Sequence, residues 1–534
     1  MIDKESRNLL VDPWLPVRLA GRSVIKISVN EIGRRDVVDF EVPRADFRGA
    51  LYQLLIGLLQ TAFAPAGRRE WKQYWKASPA PDELAAAFEP YVQAFNINSE
   101  VGEPAFMQDL TLSVGEEKEI AAMFVEAPGG KTIRDNLDHF IKRDGIEQLS
   151  PWNAALALFT LQINAPSGGV GHRVSLRGGG PLTTLAMPPE NGCYDTLWHR
   201  LWLNVLTEEE LTRLPGNREN NAIDAVFPWM ATTRTSEKKG METFPDHAHP
   251  LQAYWSMPRR MRLAISGEAG ICGLTGEASD HLVRTFTTKN YGINYAGSWI
   301  HPLTPYAIED GKEPLSIKAQ PGGLGYRHWL GLVVAGRQGK IVRTPATIVQ
   351  CYESRREWIG DADFQPRLWA FGFDMDNMKA RCWYEAEMPV FNLELEQRDD
   401  VAEYVQKMIE AATDVLKTLK AALKKAWFKR PADIKGDMSF VDNNFWLGTE
   451  IEFYFLLGTM VKSLDDEGAI DKLLDRWQWV LKDRARTLFD QYVLSNFNED
   501  GDLKRVVDAR DGKRGLQHYL NGSKALKALK ALIA

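Results

Sequence analysis

The spacing of apolar residues changes along this chain of 534 residues. In roughly the last quarter, apolar positions recur at intervals of three and four, which places them on one face of a helix. The first such face consists of Val401, Val405, Met408, Ala412, Leu416, Leu419 and Leu423. Similar segments follow at 439–463, 467–495 and 511–533, with polar breaks between them. Four amphipathic segments with short connections predict a four-helix bundle.

Upstream of residue 395 the pattern is irregular. Short runs with β-strand character, such as LPVRLAG and RMRLAIS, alternate with a few helical runs and with many loops rich in glycine and proline. We therefore predict an α+β fold in two parts. A large mixed, loop-rich N-terminal domain occupies 1–394, and the four-helix bundle occupies 395–534.

Composition narrows the class of protein without identifying a function. Hydrophobic residues make up 44% of the chain and charged residues 25%, as in ordinary globular proteins. The 17 tryptophans are expected to lie in large hydrophobic cores. A net charge of −6 argues against a protein that coats nucleic acid through overall basicity, but it leaves room for a local basic groove.

Targeting signals and cysteine usage favour the cytoplasm. The N-terminal residues are too polar for a signal peptide, and no apolar run approaches the ~20 residues that a membrane span requires. The four cysteines are far apart and form no CxxC pair. This spacing argues against a zinc site and against a disulfide framework, and it suits a reducing compartment. We expect a cytoplasmic protein without a bound metal.

A glycine-rich stretch, INAPSGGVGHRVSLRGGGPLTT at 163–184, does not match the templates for phosphate binding. It lacks the Gly-Lys pair of a P-loop, and Val174 stands where a dinucleotide fingerprint needs its third glycine. Ser175 is not part of a G-x-S-x-G nucleophile elbow. The sequence therefore predicts no catalytic residue and no cofactor in this stretch.

Histidines supply the main enzymatic alternative. His247 and His249 are two residues apart, as two metal ligands on one strand can be, but no further ligand motif follows them. A capping role in a loop fits them better. His301 is a candidate base, although a hydrogen-bonded core position is commoner for a lone histidine. A metal-dependent enzyme that acts on nucleic acid stays open as one alternative.

Several segments together resemble one known family, and they occur in its order. They are NLLVDPWLPV at 8–17, EPAFMQDL at 103–110, APSGGVGHRVSLRGGGPLTTL at 165–185, HPLTPY at 301–306 and FGFDMDNMKARCWYE at 371–385. With the helical C-terminal region, they resemble the large subunit, CasA, of Cascade, the type I-E CRISPR surveillance complex. The resemblance spans nearly the whole chain.

The resemblance implies a non-enzymatic subunit of an RNA-guided complex. Such a subunit recognises the protospacer-adjacent motif (PAM) in double-stranded DNA through the minor groove, starts strand separation and helps to recruit the helicase-nuclease. The implied partners are the other Cascade subunits, the CRISPR RNA, the target DNA and the helicase-nuclease, with no membrane. Base pairing then reads the long sequence and protein reads the short motif. A scaffold that binds only protein stays open as a second alternative.

The resemblance also implies which residues approach the minor groove. The family's glycine loop matches 167–171 here: Ser167, Gly168, Gly169, Val170 and Gly171. The minor groove is only about 6 Å wide, so backbone without Cβ atoms is suited to enter it. The family's lysine finger matches Lys289, with Asn290 as a competing candidate, because lysine donors can reach the acceptors that every base pair shows in that groove.

Two further elements come from the resemblance. A wedge hairpin that parts the first base pair matches Asp376, Asn377 and Met378. A long loop that docks onto the complex matches 123–140, with Phe124 and Glu126 in the contact positions.

Three remaining segments carry weaker expectations. Some relatives have cysteines that resemble a zinc ribbon, whereas the equivalent stretch here holds only Cys272, so we predict no metal there. The basic segments 232–240 and 257–262 are candidates to follow DNA phosphates, although most charged runs are solvated surface.

Overall fold

A computed structural model describes residues 7–128, 145–169, 171–361, 363–376, 378–495 and 502–531. The chain forms two compact units. The first contains Met1–Ala319 and Pro345–Glu385, and the second contains Gln320–Thr344 and Ala386–Ala534. The second unit therefore begins nine residues before the predicted division at 394/395 and includes a segment from earlier in the chain.

The fold is mixed, with a helical C-terminal region, so the predicted fold class is confirmed. The helices α1 to α15 are Ala45–Ala62, Arg68–Lys76, Pro81–Phe88, Pro151–Asn164, Leu197–Trp202, Glu208–Leu211, Ile223–Val226, Thr347–Gln350, Tyr352–Ile359, Gln397–Trp427, Ser439–Val461, Glu467–Phe489, Leu503–Arg510, Leu516–Gly522 and Lys524–Lys530. A further short helical turn, Trp329–Leu332, has non-helical backbone at its centre. No helix among the described residues combines the length and apolar character that crossing a bilayer demands.

The strands β1 to β15 are Leu15–Leu19, Val24–Ile27, Val37–Phe40, Glu116–Glu119, Thr183–Met187, Arg260–Ser266, Gly270–Ile271, Ala278–Ser279, Leu282–Lys289, Tyr306–Glu309, Leu315–Ser316, Gly336–Gln338, Ile341–Thr344, Arg367–Asp376 and Lys379–Pro389. They form small open sheets with the orders β2-β1-β3, β4-β9-β6 and β15-β14-β5, and a separate β7-β8 hairpin. In the second sheet β9 is central and antiparallel to both neighbours.

Two helices of the first unit show how local sequence sets the scaffold. The helix α1 is apolar on nearly all sides and is buried on nearly all sides, as expected of a core helix. The helix α4 begins at Ser150, whose Oγ accepts a hydrogen bond from the Asn153 amide at 3.3 Å. It ends at Asn164, two residues before Pro166, because a residue that precedes proline is disfavoured in helical conformation. The glycine loop therefore starts directly after a buried helix.

Tryptophans fill the core, as the sequence predicts. Nine of the 17 are fully buried: Trp71, Trp75, Trp198, Trp202, Trp229, Trp255, Trp329, Trp369 and Trp477. Within the first unit, Trp71 stacks on Trp75 with ring centroids 5.2 Å apart, and Trp198 stacks on Trp202 at 5.0 Å. Such stacked pairs stabilise the core beyond their buried area.

The second unit is built on three long helices, α10, α11 and α12, whose buried faces follow the predicted spacing. The segment 320–344 belongs to this unit because Tyr326 stacks on Phe453 of α11 at 4.3 Å and its hydroxyl lies 2.9 Å from Thr449 Oγ1.

The predicted fourth helix, 511–533, is divided. Short helices α14 and α15 meet at Ser523, whose ψ of 124° is not helical and whose Oγ accepts from the Leu526 amide at 3.1 Å. The same Oγ donates to Asp414 Oδ2 of α10 at 2.6 Å. This local capping competes with a continuous helix.

Candidate nucleic-acid interface

The first glycine cluster forms an exposed loop after α4. Ser167, Gly168 and Gly169 are exposed, and Val170 lies outside the described residues. Gly169 and Gly171 have φ of +84° and +78°, in the region that residues with a side chain rarely adopt. A Cβ atom added at Gly169 would meet no heavy atom within 4 Å. Glycine is therefore required at this position by backbone conformation and not by crowding.

The loop lies directly against the residues that follow β9. The Tyr291 amide donates to the Gly171 carbonyl oxygen at 2.7 Å. A Cβ atom at Gly171 would lie 2.8 Å from the Asn290 Cβ and 3.1 Å from the Tyr291 ring. Lys289 is the last residue of β9 and is exposed, whereas Thr288 before it is buried. The structure thus brings the glycine loop into contact with Asn290, one candidate for the lysine finger, and Lys289, the other candidate, directly precedes it.

A buried arginine lies beneath the loop. Arg259 is 8% exposed, and its Nη2 donates to the Pro166 carbonyl oxygen just before the glycines. A Cβ atom at Gly168 would be 3.1 Å from its Nη1. Its Nε is buried and makes no hydrogen bond with any described residue. Burial lowers the pKa of Arg259 to about 10, so the side chain stays charged at neutral pH.

His172, at the end of the loop, is affected by the same charge. Burial and then the neighbouring Arg259 guanidinium lower the pKa of His172 below its ordinary value of 6.5. The imidazole is therefore neutral at pH 7. The positive charge beneath the loop belongs to the arginine.

The predicted basic segment 257–262 has a different role from the one expected of it. Its arginines are nearly buried, so they are not available to DNA phosphates. Arg260 Nε donates to Asp109 Oδ2 at 2.6 Å, and Arg262 donates to the Ser99 carbonyl oxygen at 2.6 Å. These contacts hold the β4-β9-β6 sheet in the first unit.

The segment 232–240 is fixed beside the loop through Ser236. Arg173 donates to Ser236 Oγ at 2.7 Å and to its carbonyl oxygen at 2.9 Å. Ser236 Oγ in turn donates to the Gly292 carbonyl oxygen at 2.7 Å. Arg173 also lies 5.8 Å from the centroid of the Tyr291 ring. Three chain segments that are distant in the sequence therefore meet at the glycine loop.

Arg177 stabilises the glycine-rich stretch 163–184 through hydrogen bonds on its buried side. It is buried and donates to Gln53 Oε1 at 2.7 Å and to the hydroxyls of Thr183 and Thr304 at 3.0 Å each. Burial lowers the pKa of Arg177 to about 10. The acceptors of the hydrogen bonds from this guanidinium are neutral oxygens. No carboxylate of a described residue accepts from it. Nothing in the sequence shows that this residue and Arg259 are buried, because an arginine in a polar run looks like surface.

The predicted wedge lies at a hairpin. Asp376 ends β14, Met378 precedes β15 and is 52% exposed, and Asn377 lies outside the described residues. Arg381 of β15 is 2.7 Å from Asp374 Oδ1 and 3.8 Å from Asp376 Oδ2. These ion pairs cross-link the two strands just below the tip.

The second glycine cluster packs against the stem of this hairpin. A Cβ atom at Gly180 would lie 2.7 Å from Met375 Cγ, and one at Gly179 would lie 3.0 Å from Pro166 Cα. A Cβ atom at Gly372 of β14 would lie 2.9 Å from the Pro181 carbonyl oxygen. Gly180 and Gly372 permit a close approach between the glycine stretch and the hairpin within the first unit, and Gly179 permits the stretch to fold back on Pro166.

The predicted docking residues are packed against the start of α1. Phe124 is 8% exposed, stacks on Phe47 at 6.1 Å, and lies under the Arg44 guanidinium at 4.5 Å. Glu126 pairs with Arg44 at 2.7 Å. The residues 129–140 of the predicted loop lie outside the described residues. Their role in docking stays a prediction.

The histidines considered as metal ligands have local hydrogen-bonding roles. The Nδ1 atoms of His247, His249 and His301 accept from the backbone amides of Phe244 at 3.3 Å, Leu251 at 3.2 Å and Leu303 at 3.1 Å. Among the described residues, no three His, Cys, Asp or Glu side chains are grouped as a metal site would require. Cys272 is buried.

Comparisons with known proteins give the same family as the sequence resemblance. The family model for CRISPR-associated protein Cse1 matches residues 8–488. The solved structure of Cse1 from Thermobifida fusca is 18% identical, with a TM-score of 0.68 and coverage of 99% of this chain and 97% of that chain. CasA (Cse1) from Thermus thermophilus is 16% identical, with a TM-score of 0.65 and 99% of each chain covered.

A chain in a solved CRISPR RNA-guided surveillance complex is also similar, with 16% identity, a TM-score of 0.61 and 99% of each chain covered. At these identities the structures establish the fold, while the family model, which spans most of the chain, establishes the family. This chain belongs to the Cse1 family of CRISPR-associated proteins, as its resemblance to CasA predicts.

Proposed function

We propose that this chain is a non-catalytic subunit of an RNA-guided CRISPR interference complex and that it recognises the PAM through the minor groove of duplex DNA. Family membership supports the complex, since a similar chain occurs in a solved RNA-guided surveillance complex. The other Cascade subunits and the CRISPR RNA are then its partners. Base pairing with the guide reads the target, and this subunit reads the short motif.

The contact between the glycine loop and the end of β9 carries the proposal. The hydrogen bond from the Tyr291 amide to the Gly171 oxygen fixes the loop beside Lys289 and Asn290. The bare backbone of the glycine loop and the long Lys289 side chain are thereby close to each other. Both are slim enough to enter a narrow groove. The buried charge of Arg259 adds a positive potential beneath the loop.

The wedge hairpin supports the second step, strand separation. Met378 is an exposed apolar side chain at the tip of a hairpin whose stem is braced by Arg381 and by the close packing at Gly180. Inserting such a side chain between base pairs costs a few kcal/mol, roughly, for unstacking. A braced stem transmits that push without bending. Exchange of the DNA duplex for the guide heteroduplex is nearly balanced, so a small local push decides whether invasion begins.

Recruitment of the helicase-nuclease and docking through Phe124 and Glu126 complete the proposal on the basis of the family resemblance. The Arg44 contacts hold both side chains on the first unit.

The decisive experiment measures binding of PAM-bearing duplex by the complex assembled with guide RNA. Gly169→Phe places a large side chain in the exposed loop, and we expect affinity to fall about 10- to 100-fold, as loss of one or two groove contacts does. Gly311→Phe is the matched control, because Gly311 also has positive φ (+74°) and open space around its Cβ position but lies in the turn between β10 and β11.

Salt and sequence dependence supply two further readouts of the same experiment. Affinity should fall steeply with salt, because phosphate contacts release counterions. Several PAM sequences should be tolerated, because the minor groove presents a degenerate pattern. Equal binding by the Gly169→Phe and Gly311→Phe complexes would contradict the proposal and favour a scaffold that binds only protein.

A further inference from the structure

The chain leaves the glycine loop region at Ser236 and returns to it shortly afterwards. At Ser236 the backbone amide donates to the Tyr291 oxygen at 3.1 Å, and the hydroxyl donates to the Gly292 oxygen at 2.7 Å. Arg173 holds the same serine from the other side at 2.7 Å. Ser236 is therefore held in place beside the proposed reading surface, which consists of the glycine loop 167–171 and the residues at the end of β9.

The return point is Thr243. Its amide donates to the Asn294 oxygen at 2.8 Å, and the Ala296 amide donates to the Thr243 oxygen at 3.1 Å. The intervening residues form a loop, 237–242, that is fixed at both ends to the single segment 291–296. That segment directly follows the proposed lysine finger, so the loop is held next to the glycine loop.

The loop presents two cations at its tip. Lys238, Lys239 and Gly240 are exposed, and the two ammonium groups make no ion pair or hydrogen bond with the residues that the structure describes. Arg234 Nη2 donates to the Glu242 carbonyl oxygen at 3.1 Å, which closes the neck of the loop. A closed neck limits how far the tip can move away from the reading surface.

The formal charge of the loop is balanced, with two lysines and two glutamates, so the placement of its charges decides what it can bind. The Glu237 carboxylate lies 3.9 Å from Arg260 at the base of the loop. Glu242 is at the closed neck. The two acidic residues are thus at the two ends of the loop, and the adjacent pair Lys238 and Lys239 occupies the tip.

We propose that the 237–242 loop is a second DNA contact, in which Lys238 and Lys239 bind backbone phosphates of the duplex that the glycine loop enters. This inference rests on the proposed function. Contacts to phosphates position a protein on the duplex, whereas contacts to base edges specify sequence. The loop therefore contributes affinity and salt dependence to the complex, and it leaves PAM preference unchanged.

The test compares salt titrations of complexes that carry wild-type chain or Lys238→Ala/Lys239→Ala. Each phosphate contact contributes about 0.9 to the slope of log affinity against log salt, so the double variant should flatten the slope by about 2. Affinity should fall by the same factor for every PAM sequence. Lys238→Arg/Lys239→Arg should restore the slope, because it retains both charges.

A matched control removes two lysines elsewhere. Lys72→Ala/Lys76→Ala makes the same charge change on α2, whose Trp71 packs on Trp202 and Trp358, and it should leave the slope unchanged. An equal flattening in this control would overturn the inference in favour of a general charge effect.

Two other outcomes would also overturn the inference. One is an unchanged slope for Lys238→Ala/Lys239→Ala while Gly169→Phe still weakens DNA binding, which leaves the proposed function intact. The other is loss of guide RNA from the particle with unchanged DNA salt dependence, which would assign the lysines to RNA. Failure of Gly169→Phe to affect binding would instead count against the proposed function itself.

Discussion

Two glycine clusters lie within one stretch of chain, and the structure gives Gly169 of the first and Gly180 of the second opposite surroundings. Around Gly169 a Cβ atom would meet nothing within 4 Å, whereas at Gly180 it would lie 2.7 Å from Met375 Cγ and 3.0 Å from the Phe373 oxygen. Both glycines have positive φ, +84° and +58°. Backbone conformation is thus a requirement that Gly169 and Gly180 share, whereas crowding applies at Gly180 and not at Gly169.

The difference separates a structural use of glycine from a functional one. Gly180 already has an occupant beside it, the hairpin stem, and that packing explains the glycine. Gly168 and Gly171 of the first cluster are also packed, against His172 and Asn290, but Gly169 between them faces open space and has no such explanation within the described chain. The idea of bare backbone entering a groove therefore applies to the exposed part of the 167–171 loop at Gly169, and not to Gly180.

Gly180→Ala tests the structural side of this contrast. The added methyl group conflicts with Met375, which costs about 1–3 kcal/mol as overpacking. The left-handed backbone adds about 1–2 kcal/mol for a residue with a Cβ atom. We expect the first unit to lose about 3 kcal/mol of unfolding free energy, measured as a lower melting temperature and denaturation midpoint.

A double variant separates the steric cost of the methyl group at Gly180 from the cost of the left-handed backbone there. In the double variant Gly180→Ala/Met375→Ala the steric conflict is removed, so part of the loss should be recovered relative to the sum of the single variants. Strict additivity of the two substitutions would show that the methyl group and Met375 do not interact, and the crowding account of this cluster would fail.

Gly169→Ala makes the same substitution in the exposed loop. It should lower the free energy of unfolding less than Gly180→Ala does. Only backbone strain applies, since no heavy atom lies near the added methyl group, so we expect a loss of about 1 kcal/mol. The same denaturation measurement as for Gly180→Ala gives the comparison directly. A loss equal to that of Gly180→Ala would mean that the two clusters are not distinguished by packing.

Periodicity predicts the parts of the fold that local sequence determines. The three long helices, α10 to α12, are where the apolar spacing places them, because each buries one continuous stripe. The division of the last helix at Ser523 depends on a hydrogen bond to Asp414, about a hundred residues away in sequence, and a local pattern cannot contain that information. The inclusion of 320–344 in the second unit depends in the same way on the stacking of Tyr326.

Family resemblance selects candidate residues that lie close together in the structure, but it does not predict what surrounds them. It selects the glycine loop and the Lys289 region, which the structure brings into contact through Gly171 and Tyr291. It gives no sign of Arg259 or of the anchoring role of Ser236. The run MPRRMR looks like a solvated basic segment, and only tertiary structure shows that its arginines are buried or paired.

Gly168 and Gly180 also differ in the charged groups near them. This difference predicts the smallest of the effects, a pKa shift at the single residue His172. Gly168 lies over Arg259 and the first cluster is followed by His172, whereas Gly180 meets apolar Met375. Burial lowers the pKa of His172, and the Arg259 charge lowers it further. Because the folded pKa lies below 6.5, this histidine supports the folded loop fully above pH 6.5, and that support is lost as the pH falls below it.

Arg259→Met should therefore raise the pKa of His172 part of the way towards 6.5, since the charge is removed while much of the burial stays. Titration of ring-labelled histidines by NMR measures this shift in the intact chain. His249 is the internal control, because burial and Arg218 lower its pKa and Arg259 has no part in that. A shift at His249 equal to that at His172 would indicate general loosening of the fold. An unchanged pKa at His172 would mean that the arginine charge does not reach the loop, and the positive potential proposed beneath the glycines would have to be abandoned.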